Sequence, residues 1–234
     1  MPLQVADRHG VNRIGFGIVD DAVVQEASKQ EVIRRYMRYQ CLYIEGATDV
    51  ESLERAKMLM DSLGLKTENR LVALAARGAA ETARQQGKGK AGGQIVSAAA
   101  LQLHNDEIVT GRNSDELHAC SAVILNAVKK LAGIPDRLPL IAPTILQSIA
   151  HMKHDILKGG YTSLNLDEAL IALAISATTN PAAQLAVEKL GELATCEVHM
   201  THMVTPGDEA GLRRLACRYT SDPYYASTQL FNGG

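Results

Sequence analysis

The pattern of apolar and polar positions is clearest in the middle of this 234-residue chain. An apolar run over Ile95–Leu103 predicts a strand, and a second short strand at Ile108–Thr110 follows a polar turn, so the two form a β-hairpin. Beyond the hairpin, apolar residues recur three and four positions apart as far as about Ala132, which predicts an amphipathic helix. Asn113 and Glu116 have the spacing of a capping box, so we expect the helix to begin there.

Two amphipathic helices are predicted in the first third of the chain. The first runs from about Asp21 to Glu45. The second begins at a capping box, Thr48–Glu51, and is ended by Gly64. Because only a short connection separates them, they predict an αα-hairpin, and an apolar run at Val11–Val19 predicts a strand before it.

Helices and strands alternate in the rest of the chain. An apolar run at Leu71–Ala75 is followed by a predicted helix that ends at about Gln86. Further strands are predicted at Leu138–Ile141, Thr195–Val204 and Ala216–Thr220. Further helices are predicted at Pro143–Leu157, Leu166–Thr178, Pro181–Leu190 and Thr205–Leu215. The helix at Leu166–Thr178 is apolar nearly all round, which predicts burial on most of its sides. The alternation predicts an α/β fold, a layered αβα sandwich with a mixed sheet over residues 69–234, preceded by a strand and helical hairpin segment over residues 1–68.

Composition excludes several classes of protein. The 24 basic and 26 acidic residues give a net charge of -2, which provides no electrostatic footprint for nucleic acid or an anionic membrane. The four cysteines are scattered and form no CxxC pair, as expected of free thiols in a reducing cytoplasm. Neither an apolar leader nor a run of the ~20 apolar residues that span a bilayer is found. We therefore expect a soluble, cytoplasmic protein that binds neither nucleic acid nor membrane.

The segment from Thr110 to Ser114 is the first candidate for a ligand site. In the predicted fold it joins a strand to a helix N-terminus, where free N–H groups and the helix dipole favour an anion. Arg112 can bind a phosphate or carboxylate with two hydrogen bonds, Gly111 allows close backbone approach, and Thr110 and Ser114 supply hydroxyl groups. The alternative is that Asn113 only caps the helix and Arg112 points into solvent.

Two other places are secondary candidates for anion binding. Thr179 and Asn180 stand at another predicted helix start. Arg34 and Arg38 lie on the first helix without an acidic residue four positions away. These arginines equally fit a solvated face or an interface, because no Gly-rich loop lies beside them.

Other chemistries lack their sequence patterns. The segment Gln85–Gly93 alternates Gly and Lys, but GxxxxGK[ST] is absent, and we interpret it as a flexible connector. Histidines occur in two HxxH pairs, His151 with His154 and His199 with His202, and the second pair lies on a predicted strand, where an odd separation places the rings on opposite faces. The HExxH, zinc-deaminase and GxSxG patterns are absent. We therefore predict no metal and no cofactor, and assign no catalytic residue.

Four segments carry a resemblance to a known family: GVNRIGFGIVDDAVVQEASKQEVIRRY (Gly10–Tyr36), TGRNSDELHACSAVILNAVKKLAGIP (Thr110–Pro135), DEALIALAISATTNPAAQLA (Asp167–Ala186) and CEVHMT (Cys196–Thr201). In this order they resemble the bacterial domain of unknown function 1846 family, also called uncharacterised protein family 0371. The resemblance implies an α/β sandwich of cytidine-deaminase-like topology, preceded by a helical subdomain.

The same resemblance implies that the chain corresponds to the middle and C-terminal part of a longer protein, whose N-terminal domain has no counterpart here. It implies no activity, because none is established for the family. An ATP-dependent peptidase label attached to some members would require a Walker lysine and a protease signature, which this sequence lacks. Family members tend to have Ser where this chain has Met200, so a hydroxyl role at that position does not carry over.

Two functions from different classes remain open at this point. The chain is either the domain of an enzyme that binds a phosphate- or carboxylate-bearing metabolite, or an oligomerisation module with no catalysis of its own. In the second case the helices between Asp21 and Leu63 pack against another copy of the chain or against the missing N-terminal domain.

Overall fold

A four-stranded sheet lies at the centre of the computed structural model, which describes residues 21–226. β1 (Ala98–Gln102) pairs antiparallel with β2 (Ile108–Arg112) on one side and with β3 (Glu197–Met200) on the other. β3 pairs parallel with β4 (Arg218–Ser221), which gives the order β2-β1-β3-β4. The predicted α/β fold with a mixed sheet is therefore confirmed.

Within residues 21–226 the α-helices are α1 (Asp21–Ile44), α2 (Val50–Ser62), α3 (Leu71–Gln85), α4 (Ala119–Leu131), α5 (Pro143–His151), α6 (Leu166–Ala177), α7 (Pro181–Glu188) and α8 (Pro206–Arg214). A π-helical turn, Met152–Ile156, continues α5. The strand predicted at Val11–Val19 lies outside the described residues, as do residues 227–234.

The alternation of side chains along β1 explains why helices cover both faces of the sheet. Ala100 packs with Val72 and Ala76 of α3 on one face. Ala99 and Leu101 belong to the main core on the other face, together with residues of α4, α6 and α7. Because side chains of a strand point alternately to opposite faces, this short apolar strand holds two helical layers together. The layered αβα arrangement follows, whereas the cytidine-deaminase-like topology stays a prediction.

Gly111 allows β2 and α4 to approach each other at backbone distance. A Cβ atom at this position would lie 2.3 Å from the backbone nitrogen of Val123. The glycine is therefore required by the packing of a helix on a strand.

The predicted αα-hairpin is confirmed. Ile33 and Met37 of α1 are fully buried against Met60 of α2, and this pairing forms a small core of its own. The capping box predicted at Thr48–Glu51 is wrong, because the N-cap of α2 is Asp49, whose Oδ1 accepts the Ser52 N–H at 2.7 Å. The carboxylate is the stronger acceptor for a helix N-terminus.

Two further sequence predictions are wrong. Residues 138–141 form no strand, although Leu140 and Ile141 are buried in the main core, because they lie in a turn that leads directly into α5. The helix α6 is not buried on most sides, since Ile171 and Ile175 are 61% and 50% exposed. Its buried face packs on α7 and α8, and nothing in residues 21–226 covers the opposite face.

Candidate functional site

A cavity of about 490 Å³ opens at the end of the sheet where β1 begins and β2 ends. Its walls come from five places in the chain: the residues before β1, the β2–α4 loop, the segment from the π-helical turn to α6, the β3–α8 loop, and Ala226 beyond β4. Four basic residues line it, namely Lys90, His118, Lys153 and His202, and no carboxylate of the described residues lines the wall. A cavity of this character favours a negatively charged occupant.

His118 stands at the N-cap position of α4 and places its ring in the cavity wall. Its backbone N–H donates to the Leu164 carbonyl and its own carbonyl accepts from the Ala122 N–H, so both backbone groups are fixed. The ring Nδ1 lies 2.8 Å from Oδ2 of Asp208, and 23% of the side chain remains exposed. One edge of the imidazole is therefore anchored and the other stays accessible.

Asp208 is fully buried in the first turn of α8 behind His118. Its Oδ2 also accepts from the Thr205 hydroxyl at 2.7 Å, and its Oδ1 accepts from the Leu166 N–H at 2.9 Å. Burial acts to raise the pKa of Asp208, but the hydrogen bonds and the charge of His118 outweigh it, so the pKa lies below its ordinary value. The carboxyl group is therefore ionised at neutral pH.

An ionised carboxylate only accepts hydrogen bonds, and this fixes the tautomer of His118. Nδ1 must carry the hydrogen that Asp208 accepts, which leaves Nε2 of the neutral ring as an acceptor with a free lone pair. Nε2 makes no hydrogen bond to any residue between 21 and 226. The pair therefore has the arrangement of a base held by a carboxylate.

His202 forms part of the same wall but is almost completely enclosed. It is 5% exposed, and its Nδ1 has no hydrogen-bond partner within the described part of the chain. Burial lowers the pKa of His202 to about 4, so the ring is neutral at pH 7. A buried polar atom without a partner costs free energy unless a ligand or water satisfies it.

Lys90 and Lys153 bring two ammonium groups to Ser163 in the lining of the same cavity. Lys90 Nζ donates to the Ser163 hydroxyl at 3.0 Å and lies 4.4 Å from the centre of the Tyr161 ring. Lys153 Nζ donates to the Ser163 carbonyl at 2.8 Å and pairs with Glu168 at 2.8 Å. Burial lowers the pKa of Lys90, the nearby charge of Asp115 opposes this change, and the charge of Lys153 adds to it. Lys90 therefore carries a half-buried charge that Asp115 compensates only from a distance, since the two side chains form no ion pair in the described residues.

The candidate segment from Thr110 to Ser114 is divided by the structure. Asn113 and Ser114 line the cavity. Thr110 and Arg112 are exposed and do not line it, and Arg112 donates to the carbonyl of Asn113. The segment does not adjoin a helix N-terminus as predicted, because α4 begins five residues later, at Ala119.

The helix does not begin at Asn113 because the Asn113 side chain forms hydrogen bonds at the edge of the sheet and does not cap α4. Its Oδ1 accepts the Ser97 N–H at 3.0 Å and its Nδ2 donates to the Ile95 carbonyl at 2.9 Å, which joins the start of β1 to the end of β2. Ser114 Oγ accepts from the N–H groups of Glu116 and Leu117. Both residues thus shape the cavity wall through local hydrogen bonds.

The secondary candidates lie outside the cavity. Thr179 is exposed, and Asn180 caps α7 by accepting the Ala182 N–H at 3.0 Å. Arg34 forms ion pairs with Glu31 and Glu197, and Arg38 is exposed on α1.

The members of the two HxxH pairs lie in different surroundings. His199 lies on β3 with Nδ1 2.9 Å from the Thr220 hydroxyl, whereas His202 forms part of the cavity wall. His151 and His154 are exposed beside Asp155. Within residues 21–226 no group of three or more His, Cys, Asp or Glu side chains is arranged to hold a metal ion.

Sequence reasoning missed the residues that give the cavity its chemistry: Lys90, His118, Lys153, His202 and Asp208. They come from four separate segments with no fixed spacing, so no motif could reveal them. Lys90 was assigned to a flexible connector, although a short β-bridge between Lys90 and Ile95 orders that segment. The sequence Thr205-Pro-Gly-Asp208 has the spacing of a helix cap, which gives no indication that Asp208 also holds His118.

Two family models match the chain in succession. The model described as "Domain of unknown function DUF1846, N-terminal" covers residues 2–64, and the one described as "Domain of unknown function DUF1846, C-terminal" covers residues 68–231. The expectation that the N-terminal domain has no counterpart here is therefore wrong, because residues 2–64 match part of it. All residues of the cavity lie in the C-terminal match.

Curated relatives match nearly the whole chain. A UPF0371 protein of Clostridium tetani (strain Massachusetts / E88) is 44% identical over 222 residues, and one of Fusobacterium nucleatum subsp. nucleatum is 44% identical over 223 residues. Another, of Clostridium botulinum (strain Langeland), is 43% identical over 222 residues. Each match covers 95% of this chain and 44% of the relative, so the chain spans less than half the length of these proteins. Among residues 21–226, no helix has the length and apolar character needed to cross a bilayer.

Proposed function

We propose that this chain, which belongs to the DUF1846 family, binds a small metabolite through its phosphate or carboxylate group in the cavity described above. The observation that carries the proposal is the pair of ammonium groups of Lys90 and Lys153, which both donate to Ser163 in the cavity wall, with Lys90 half buried and in no direct ion pair among residues 21–226. An anion bound between the two lysines would give Lys90 a direct counterion. Charge-assisted hydrogen bonds of this kind are the strongest that a neutral-pH site offers.

The dimensions and lining of the cavity support a small molecule as its occupant. Its volume of about 490 Å³ lies within the range of ~300–1,000 Å³ that is usual for metabolite sites. Apolar residues such as Ile95, Leu117 and Met203 form part of the wall together with the basic groups. Such a site would hold the apolar or neutral part of a metabolite while its charged group contacts the lysines.

Titration calorimetry with inorganic phosphate, a sugar phosphate and a dicarboxylate tests the proposal. We expect binding to the unmodified chain and a loss of affinity of about 10- to 100-fold for Lys90→Ala, because one charge-assisted hydrogen bond is removed. Lys57→Ala is the matched control, since Lys57 is exposed on α2 far from the cavity wall. Arg112→Ala should also bind normally.

Two results would contradict this proposal. One is the absence of binding by every anion tested. The other is a loss of binding in Arg112→Ala with no effect in Lys90→Ala, which would place the site on the exposed end of β2.

A second candidate function is assembly of two or more copies of the chain, which the outer face of α6 favours. Ile171, Ala174 and Ile175 are exposed there at the spacing of one helical face, although α6 carries no charged residue beyond its first turn. A second copy packed on this face would remove it from water. Light scattering that shows a dimer, and a monomer for Ile171→Lys, would support assembly, whereas a monodisperse monomer of the unmodified chain would exclude it.

A further inference from the structure

We propose that the cavity is a hydrolytic site in which His118 is the general base that activates water against a bound phosphate ester, with Asp208 as its positioning residue. This inference rests on the anion site proposed above and adds a reaction to it. It depends on three observations: the orientation of His118, the absence of a protein nucleophile on its free nitrogen, and the unpartnered polar atom of His202.

The orientation of His118 is fixed from behind by groups that have no access to solvent. Asp208 is fully buried and holds Nδ1 at 2.8 Å, while Thr205 and the Leu166 N–H hold the carboxylate in turn. Three hydrogen bonds on one buried carboxylate exceed what a helix cap requires, since the Thr205 side chain already caps α8 through the Asp208 N–H. The arrangement therefore presents Nε2 to the cavity in a single tautomer.

The proton that Nε2 accepts must come from water or from the bound molecule. No hydroxyl or thiol of residues 21–226 forms a hydrogen bond with it. The Ser163 hydroxyl accepts from Lys90, and the Ser114 hydroxyl accepts from two backbone N–H groups. Cys120 is fully buried and its pKa is raised well above the ordinary value by burial, so its thiol is not an available nucleophile.

His202 belongs to the same cavity wall and contains a polar atom without a partner in residues 21–226. Its enclosed, neutral ring has an Nδ1 atom without a partner in the described structure, which is the kind of atom that an ordered water or a substrate oxygen satisfies. Lys90 and Lys153 line the same cavity, where they can neutralise the charge of a phosphate group. The base, His202 and the two lysines thus belong to the lining of one cavity.

The reaction balances without any further reactant. A water oxygen forms a bond to phosphorus, His118 Nε2 takes one proton of that water, and the bond from phosphorus to the ester oxygen breaks. His118 then returns the proton to the departing ester oxygen, which leaves as an alcohol, while inorganic phosphate remains with the lysines. Nothing is oxidised or reduced, and the ring ends neutral, ready for another cycle.

Turnover of phosphate esters by the full 234-residue chain tests this inference. Release of p-nitrophenol from p-nitrophenyl phosphate and bis(p-nitrophenyl) phosphate, and release of phosphate from a set of sugar phosphates and nucleotides, would be measured. We expect turnover that falls by about 10²- to 10⁴-fold in His118→Asn, as is usual when a general base is removed. His104→Asn is the matched control, because His104 is exposed in the β1–β2 turn, at the opposite end of the sheet.

Asp208 requires a readout that separates positioning from structural support. Asp208→Asn should lower kcat more than it raises KM and should change the pH profile of kcat, because the amide no longer fixes the Nδ1–H tautomer. If that variant does not fold, Thr205→Val removes one of the bonds that hold the carboxylate, and Thr205→Ser should restore the profile.

Histidine NMR provides a test that needs no substrate. The ring nitrogens of His118 should show the Nδ1–H tautomer when neutral, and addition of inorganic phosphate should shift the Nε2 signal in the unmodified chain and in Lys57→Ala, but not in Lys90→Ala. A protonated Nε2 in the neutral ring would overturn the inference.

The outcomes also separate the two proposals. If the chain binds phosphate but shows no ester turnover that is lost in His118→Asn, the proposed hydrolysis is overturned and the proposed anion site stands. Absence of phosphate binding would overturn both. Turnover that is equal in the unmodified chain and in His118→Asn would show that another group acts as the base, and the inference would fail.

Discussion

His202 shows how burial alone changes the chemistry of one residue. Its ring is 5% exposed and its pKa is about 4, although Asp208 and Asp222 partly oppose the effect of burial, and His118 and His199 reinforce it. The unfolded chain has a histidine pKa near its ordinary value of 6.5. Between these two values the unfolded state binds a proton that the folded state does not.

We therefore expect acid to destabilise the fold through His202. Its contribution is complete above about pH 6.5 and is lost as the pH falls to about 4, by roughly 3 kcal/mol from a pKa difference of about 2.5. Urea unfolding at a series of pH values should show this loss and should show less of it for His202→Gln. The exposed His151→Gln should follow the unmodified chain, and equal slopes for all three proteins would refute the assignment.

Substitution of two glycines by alanine should have opposite effects on stability. Gly111→Ala should lower the free energy of unfolding by about 1–3 kcal/mol, because the new Cβ would meet the Val123 backbone at 2.3 Å. Gly78→Ala should raise it by about 0.5–1 kcal/mol, because Gly78 lies inside α3 with open space around it. Chemical denaturation of both variants checks the pair, and a stable Gly111→Ala protein would contradict the close strand–helix contact.

Among the elements, those with local signals could be predicted from the sequence and those set by tertiary contacts could not. Asn165 and Glu168 form the capping box that opens α6, as their spacing predicts. Asn113 and Glu116 have the same spacing, yet Asn113 bonds across to β1 and the helix starts later. A local sequence pattern does not show whether an Asn side chain will cap a helix or form hydrogen bonds to a neighbouring strand. The residues of the basic cavity have no local sequence pattern.

The start of α2 provides a test at the scale of the element. Asp49→Ala should lower the melting temperature by a few degrees, because the Ser52 N–H loses its acceptor and the helix dipole loses a nearby negative charge. Its neighbour Thr48 caps nothing in the structure, so Thr48→Ala should leave the melting temperature unchanged. A larger effect at Thr48 would restore the capping box that the sequence alone suggests.

At the scale of the whole molecule, one carboxylate connects the hairpin to the sheet. Glu197 of β3 pairs with Arg34 of α1 and, at 2.7 Å, with Arg70, whose side chain is 1% exposed. Burial lowers the pKa of Arg70, and the charge of Glu197 opposes that change. A buried guanidinium of this kind depends on its partner, because an uncompensated charge cannot be solvated there.

Glu197→Ala should therefore destabilise the protein by about 3–5 kcal/mol, whereas the double variant with Arg70→Met should recover much of the loss. Equilibrium unfolding by denaturant measures both. Glu31→Ala is the control, since Glu31 is 65% exposed and its ion pair with Arg34 contributes little. Equal stabilities for the single and double variants would show that the buried charge is not the cause.

The cavity is assembled from segments that are far apart in the order of synthesis. Lys90 and His118 leave the ribosome about 90 residues or more before Asp208, which holds His118 in place, and Asp208 itself precedes β4. Binding of an anion through this site therefore cannot assist the early steps of folding on the ribosome, because the site exists only once α8 has been made. A chain interrupted before α8 would lack the site even if its hairpin and first strands were folded, so ligand affinity would report that synthesis has passed this point.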